Sequence, residues 1–384
     1  MIIGDEFFMA EKIRVLVVTG SLNIGGMEAV AMNIARYSNH EKFQFDFLVY
    51  GDAEHAYEKE AISLGCRVIH CPFPHKNPLA TVGNIRRIIR DNGPYDIVHS
   101  HLLFNSGLAM KAAYKERVPV RITHSHTNRL APNPSRGRRL YESLMRRYIK
   151  AYATTWYACS EKAGRYLFGE AFSNQGHVLR NGIYLPKYQV SKDTVSKYKT
   201  DLRLDGRKVI GQVGSLVPVK NHTFSLRLFS ELRKNRSDLK FLIIGGGELE
   251  DDIRSQIRDM GLESDVLMLG KRSDVPELLN TIDLFLMPSL YEGVSVALME
   301  AQAAGLPCVV SETAYAPEVR VTEQVTPLSL DADIEAWIAA LLRALNQARY
   351  TDSYEAISAK GYNIVDIVSE LNAEYLRCIE QERK

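Results

Sequence analysis

Two doubly wound, Rossmann-like α/β domains are predicted for this chain, on three observations. Apolar strand-like runs alternate with longer amphipathic stretches along nearly its whole length, the pattern of βαβ units and parallel sheets. The strand runs are almost continuous Val, Ile and Leu, as expected for sheets covered on both faces. The rhythm breaks once, between Tyr184 and Lys208, over the polar and charged stretch Tyr188–Arg203, and a chain of 384 residues is comfortable for two domains.

In the first half the predicted strands are Ile13–Thr19, Phe45–Tyr50, Arg67–His70, Ile97–Ser100, Arg121–His124 and Thr155–Ala158. Helical patterns at Glu28–Tyr37, Leu79–Asp91 and Arg138–Ala151 lie between them. In the second half the strands are Val209–Val213, Phe241–Gly245, Val266–Leu269, Leu284–Met287 and Cys308–Ser311. Helices Asn221–Arg233, Leu249–Met260, Val275–Asn280 and Ser295–Ala304 separate these. After Leu330 the sheet pattern stops and helices Ile334–Gln347 and Ile364–Gln381 follow. The reading places an N-terminal domain over 1–186, a C-terminal domain over 187–362 and a terminal helix over 363–384.

Hydrophobic residues make up 46% and charged residues 24%, which is ordinary globular composition. A net charge of +2 gives no overall field for nucleic acid, and no such partner is expected. The five cysteines (Cys66, Cys71, Cys159, Cys308, Cys378) are odd in number and irregularly spaced, with no CxxC pair. That argues against a disulfide framework or a cysteine zinc site and for a reducing, cytoplasmic setting. No apolar run of about 18 residues is present to span a membrane. Met1–Ala10 lacks the basic region and apolar core of a signal peptide.

Ligands of doubly wound sheets sit at the carboxyl ends of the strands, so the segments just after strands should carry the chemistry. The most informative runs Pro288-Ser289-Leu290-Tyr291-Glu292-Gly293-Val294-Ser295-Val296-Ala297-Leu298-Met299-Glu300. On one helix, eight residues rotate roughly 80° and rise about 12 Å, so Glu292 and Glu300 would not share a face. The spacing makes sense if Glu292 is in the loop, Ser295 caps the helix and Glu300 lies in its second turn. Two carboxylates and the free amides of Gly293, Val294, Ser295 and Val296 then surround one small volume. The amides and helix dipole suit a phosphate, and the carboxylates suit sugar hydroxyls. Two solvated charges are the alternative. The apolar Ala301–Gly305 stretch counts against it, since it implies a buried face beside Glu300, and a buried carboxylate needs partners.

Gly211-Gln212-Val213-Gly214-Ser215-Leu216-Val217-Pro218-Val219-Lys220-Asn221 follows the first strand of the second half. It puts a lysine beside the free amides of a helix start, an anion site or simply a surface lysine. Gly245-Gly246-Gly247 ends the next strand and permits close approach of a ligand. Gly25 and Gly26 stand between the first strand and first helix. His99 and His101 close one strand, and His124 and His126 another. No Cys or carboxylate accompanies them at ligand spacing, so no metal site is expected. Arg129, Arg136, Arg138, Arg139, Arg146, Arg147 and Lys150 share their stretch with one acid, Glu142. A basic amphipathic helix there suits an anionic inner-leaflet surface, contacted through Arg136–Lys150, or a diphosphate-lipid acceptor. A solvated helix face is the alternative.

Glu292-x7-Glu300, followed by Ala301, Gly305, Pro307 and Ser311, resembles the E-x7-E motif of glycosyltransferase family 4. These are retaining enzymes of the GT-B fold, with two Rossmann-like domains facing across a cleft. The resemblance implies that Glu300 holds the donor ribose and Glu292 lies near the donor sugar ring. The Gly214–Lys220 segment looks like the family's G-R-x4-K pyrophosphate clamp, with Lys220 in the lysine position. It departs at Ser215, where arginine is usual, and Arg180 is the candidate replacement. Gly246 and Gly247 resemble the family's G-x-G donor loop, Arg272 falls in its nucleobase segment, and Gly25-Gly26 resembles its N-terminal glycine loop. His126 aligns with the family histidine that hydrogen-bonds the sugar or orients the acceptor. Thr313–Glu318 lacks the glycine pair of many relatives.

The resemblance thus implies a nucleotide-sugar donor, UDP-sugar favoured, and a glycan or lipid-linked acceptor in surface polysaccharide synthesis. His126, Glu292 and Lys220 form the expected catalytic set. Retention by front-face displacement is expected, with no metal or cofactor required, and the terminal helix is expected to cross back to the first domain. A nucleotide-sugar 2-epimerase of the same architecture and a non-catalytic nucleotide-sugar-binding protein are the competing readings.

Overall fold

The computed structural model describes residues 11–73, 78–127, 135–292, 294–315 and 319–382. The chain forms two compact units, Met1–Asn181 with Ile364–Lys384, and Gly182–Asn363.

The first unit carries β1 (Ile13–Val18), β2 (Phe43–Tyr50), β3 (Arg67–Cys71), β4 (Ile97–Ser100), β5 (Val120–Ser125), β6 (Thr155–Ala158) and β7 (Gly176–Val178). They make one parallel sheet in the order β3-β2-β1-β4-β5-β6-β7. The chain therefore winds outward in one direction from β1 and in the other from β4, and the topological switch point lies between those strands. Val15 to Val18 are fully buried, as a central strand covered by helices on both faces requires. The helix Ile364–Glu382 packs on this unit. The Tyr375 ring lies 5.9 Å from that of Phe43, and Ser38 Oγ donates to Asn372 Oδ1 at 3.0 Å.

The second unit carries β8 (Lys208–Val213), β9 (Leu239–Ile244), β10 (Val266–Gly270), β11 (Leu284–Met287), β12 (Cys308–Ser311) and β13 (Val325–Leu328). Their parallel order is β10-β9-β8-β11-β12-β13, so the switch point here lies between β8 and β11. Two apolar clusters fill its faces, one around Phe285, Leu298 and Met299, the other around Phe229, Phe241 and Trp337.

Two strands escape the sequence pattern. β7 has three residues and is largely exposed, and β13 is an edge strand containing Pro327, which edge strands tolerate. The charged stretch at the domain boundary is in part a helix, Lys192–Asp201, with no buried residue; Ser191 caps it by accepting from the Thr194 amide. All five cysteines are buried and unpaired. Among the described residues no helix is long and apolar enough to cross a membrane.

Candidate functional site

The loops after β8 and β11 flank the switch point of the second unit, and they are stitched together there. The Leu290 amide donates to the Val219 carbonyl at 2.8 Å, and Asn221 Nδ2 donates to the Pro288 carbonyl at 3.1 Å. Asn221 adopts the left-handed conformation, φ 55°, to make the corner into helix His222–Arg233. Gln212 Nε2, from β8, donates to the Lys220 carbonyl at 2.8 Å. These bonds fix the backbone that presents Lys220. Its Nζ donates to Glu292 Oε1 at 2.5 Å, and the two side chains are only 17% and 14% exposed. A cation and an anion from two adjacent loops thus meet at the carboxyl edge of the sheet. Gly214 lies against this lysine, since a Cβ there would sit 3.2 Å from Lys220 Cε.

Helix Val296–Ala303 opens at Ser295, whose Oγ accepts from the Leu298 amide. Val294 packs on the apolar cluster beneath it. Glu300 is in the second turn and half-buried, and Tyr188 donates its hydroxyl proton to Glu300 Oε1 at 2.8 Å. Burial raises this carboxyl to about 7; the Tyr188 bond and the charge of Lys187 oppose the rise. Gly293 lies outside the described residues.

The glycines after β9 serve loop packing. The Leu216 amide donates to the Gly246 carbonyl at 3.2 Å, and the Leu249 amide to the Leu216 carbonyl at 3.0 Å. A Cβ on Gly247 would sit 2.5 Å from the Leu216 carbonyl oxygen, and one on Gly246 would sit 3.1 Å from Lys271 Cγ. Gly247 therefore admits the neighbouring Leu216 backbone. Ser215 itself is exposed. Arg272 grips Asp274 with two bonds, Nε to Oδ1 at 2.8 Å and Nη2 to Oδ2 at 2.5 Å. Arg272, and then the Tyr198 hydroxyl, hold the Asp274 carboxyl down to about 2 against the effect of burial.

In the first unit, Gly25 is the extended N-cap residue of helix Gly26–Tyr37. The Glu28 carboxylate occupies the space where a Cβ on Gly25 would stand, and it accepts from Ser21 Oγ at 2.9 Å. Gly26 has open space on its side-chain face. His99, His101, His124 and His126 gather on one face at the carboxyl ends of β4 and β5. His126 is half-buried, its Nε2 is 2.7 Å from His101 Nδ1, and burial lowers its imidazole to about 4. It is therefore a neutral hydrogen-bonding group near pH 7 and carries no positive charge. Arg180 is exposed and belongs to this unit.

Helix Arg136–Tyr152 starts from the Ser135 cap and buries Glu142, Met145 and Ile149. Leu140 and Leu144 stay 74% and 40% exposed among exposed Arg136, Arg139, Arg147 and Lys150. Two of the basic residues grouped with them by sequence are engaged within the unit. Arg146 donates to the Tyr166 carbonyl at 2.8 Å with its guanidinium over the Phe104 ring, and Arg138 pairs with Glu142. Arg129 and Pro317 lie outside the described residues.

Sequence reasoning missed Tyr188, Gln212 and Asn221. Tyr188 is 112 residues from the carboxylate it holds, and no local pattern links them. The need of a buried Glu300 for a donor was the only available hint.

The family model described as "Glycosyl transferases group 1" matches residues 196–364, and "Glycosyl transferase 4-like domain" matches residues 25–182. A protein named as a glycosyltransferase, EpsF of Bacillus subtilis (strain 168), is 37% identical over 364 residues, spanning 93% of this chain and 95% of its own. The UDP-Gal:alpha-D-GlcNAc-diphosphoundecaprenol alpha-1,3-galactosyltransferase of Escherichia coli is 28% identical over 297 residues, 73% of this chain and 75% of its own. The crystal structure of HepE of Anabaena in complex with UDP and glucose is similar in fold, with TM-score 0.76 at 18% identity, covering 95% of this chain and 99% of that one. With both halves matched and a full-length relative at this identity, the chain belongs to glycosyltransferase family 4, the enzymes of the GT-B fold.

Proposed function

We propose that this chain transfers a sugar from a UDP-sugar to a glycan or lipid-linked acceptor in surface or extracellular polysaccharide synthesis. It works on the cytoplasmic side, with retention of anomeric configuration and no metal in the chemical step. The observation that carries this reading is the Lys220–Glu292 pair at the β8/β11 switch point, beside the N-terminus of the helix that holds Glu300.

That arrangement suits a nucleoside diphosphate sugar part by part. Lys220 and the amides of the first helical turn stabilise the diphosphate as it takes up charge. Glu300 accepts from ribose hydroxyls, each bond to a charged carboxylate being worth about 1.5–3 kcal/mol. In a front-face displacement the acceptor oxygen bonds the anomeric carbon on the side from which the diphosphate leaves. The leaving phosphate oxygen keeps the bond's electron pair and takes the acceptor proton. Glu292 faces the sugar and orients its hydroxyls, while neutral His126 serves as a hydrogen-bonding group in the first unit. UDP is favoured because the E. coli relative's name states a UDP-Gal donor and HepE is complexed with UDP and glucose. That relative's name also gives a diphosphoundecaprenol acceptor. The basic face of helix Arg136–Tyr152, with Leu140 and Leu144 exposed, supports docking at the membrane that presents such a lipid.

Thermal-shift screening of UDP-, GDP- and ADP-sugars tests the donor; a true donor at 100 times its Kd stabilises by about 2.7 kcal/mol. Incubation with that donor and a diphosphoundecaprenol-linked sugar, with the new anomeric bond read by NMR, tests acceptor and stereochemistry. Conversion of the donor with no acceptor present would mark an epimerase instead. Undiminished turnover in both Lys220→Ala and Glu300→Ala would remove the mechanism.

A further inference from the structure

The histidines at the ends of β4 and β5 form a cluster of which the sugar-transfer reading uses His126 alone. His99 and His101 alternate with Ser100, and His124 and His126 with Ser125, so each pair shares one face of its strand. β4 and β5 are neighbours, in the register His99 opposite Ile122, which brings the four rings together. Centroids of His99, His101 and His124 are 4.4 to 5.4 Å apart. These three residues are at most 2% exposed, and one ring nitrogen from each lies within 4.8 Å of the others.

Their hydrogen bonding is incomplete. His99 Nδ1 is 2.7 Å from the Tyr375 hydroxyl, and His101 Nδ1 is 2.7 Å from His126 Nε2. His99 Nε2, His101 Nε2 and both nitrogens of His124 are buried with no partner among the described residues. Buried polar atoms are nearly always satisfied, so several orphans converging on one volume need an explanation. His99 and His101 show the pattern of metal ligands, in which one ring nitrogen is held by an outer group and the other is left to the ion; His124 has both nitrogens to offer.

We propose that His99, His101 and His124 bind one divalent transition-metal ion, zinc foremost, inside the first unit. Three neutral imidazoles suit zinc, cobalt, nickel or copper, and offer nothing to the oxygen-seeking magnesium or calcium. Zinc bonds of about 2.0–2.1 Å put donor nitrogens about 3.4 Å apart, closer than the 4.8 Å within which they lie here, so the rings must turn inward on binding. Tyr375 is a positioning residue that fixes the His99 ring from helix Ile364–Glu382. The ion thereby ties the terminal helix to the sheet. The inference is independent of the sugar-transfer reading.

The test uses the full chain, stripped with a strong chelator and reloaded with zinc or cobalt alone. One ion per chain by mass spectrometry and the visible absorption of four-coordinate cobalt are expected. His124→Ala should lose both signals, and Tyr375→Phe should keep the stoichiometry while weakening affinity by about 10–100-fold. His177→Ala, an exposed histidine, should change neither. Metal-free circular dichroism shows whether His124→Ala is folded; if it is not, His101→Gln takes its place. No stoichiometric ion in the wild-type chain, or one retained by a folded His124→Ala or His101→Gln, overturns the proposal.

Discussion

Lys220 donates to Glu292 at 2.5 Å, across two loops whose residues are 72 positions apart in the chain. The pair is under mutual control, because a diphosphate arriving at Lys220 must compete with the carboxylate. Glu292→Gln should therefore bind UDP more tightly while transferring sugar more slowly. Lys220→Ala should lose UDP affinity and about 10²–10³ in kcat, the usual loss for a group that stabilises developing negative charge. It should also cost up to about 3 kcal/mol of stability, since Glu292 is left mostly buried without its partner. UDP titration calorimetry, kcat and denaturant melts of the two variants separate these effects. A Glu292→Gln chain with weaker UDP binding would contradict the competition.

Glu300 makes stability and donor binding depend on pH in a defined direction. Its carboxyl is raised to about 7 from an ordinary 4.5. A raised value means the protonated form is favoured in the fold. The stabilisation is complete below pH 4.5 and is lost as pH rises through about 7. Glu300→Gln should therefore gain in Tm relative to wild type between pH 5 and pH 8. Ribose hydroxyls donate to the ionised carboxylate, so wild-type UDP affinity should increase over the same range more steeply than that of Glu300→Gln, whose remaining slope is the ionisation of the UDP phosphate at about pH 6. Equal pH slopes in the two proteins would assign the titration to another group.

The helix Arg136–Tyr152 predicts a membrane phenotype with a distinguishable mutant set. Arg139, Arg147 and Lys150 are exposed, whereas Arg146 is spent on the Tyr166 and Leu167 carbonyls. At about 1 kcal/mol per basic residue near an anionic surface, Arg139→Gln/Arg147→Gln/Lys150→Gln should lower partitioning onto phosphatidylglycerol vesicles by on the order of 100-fold. Arg146→Gln should instead lower Tm, through its lost carbonyl bonds and ring contact. Vesicle cosedimentation and thermal melts read the two outcomes separately.

How much of this was legible beforehand follows from the range of the interactions involved. The central strands and the two-unit division are written in local apolar runs, so they can be read directly. The Ser295 cap and the placing of Glu300 in the second turn also follow from local spacing. The strand order is not local, yet it decides that the loops after β8 and β11 are neighbours and hence that Lys220 meets Glu292. The four histidines illustrate the same limit. Spacing along each strand gives two pairs, and only the pairing of β4 with β5 makes one cluster. The edge strands β7 and β13 have too few residues, or a proline, to leave an apolar signature.

Gly247 tests whether the two glycine-bearing loops act as one piece. Its missing side chain admits the Leu216 backbone, with the carbonyl oxygen at 2.5 Å and the amide nitrogen at 2.8 Å from where a Cβ would be. Neither atom can retreat freely, because the Leu216 carbonyl accepts from the Leu249 amide and the Leu216 amide donates to the Gly246 carbonyl. Gly247→Ala should thus cost about 1–3 kcal/mol, the range for a forced overpacking. The displaced Ser215–Val217 backbone leads directly into Lys220, so UDP affinity should fall with it although no group that touches the donor has been removed. Gly206→Ala offers the contrast. Its φ of +67° carries the strain, but a Cβ there meets nothing within 4 Å, so stability should drop while UDP affinity is kept. Denaturant melts and UDP titrations of both variants decide the matter, and a Gly247→Ala chain with wild-type UDP affinity would show that the loops move independently.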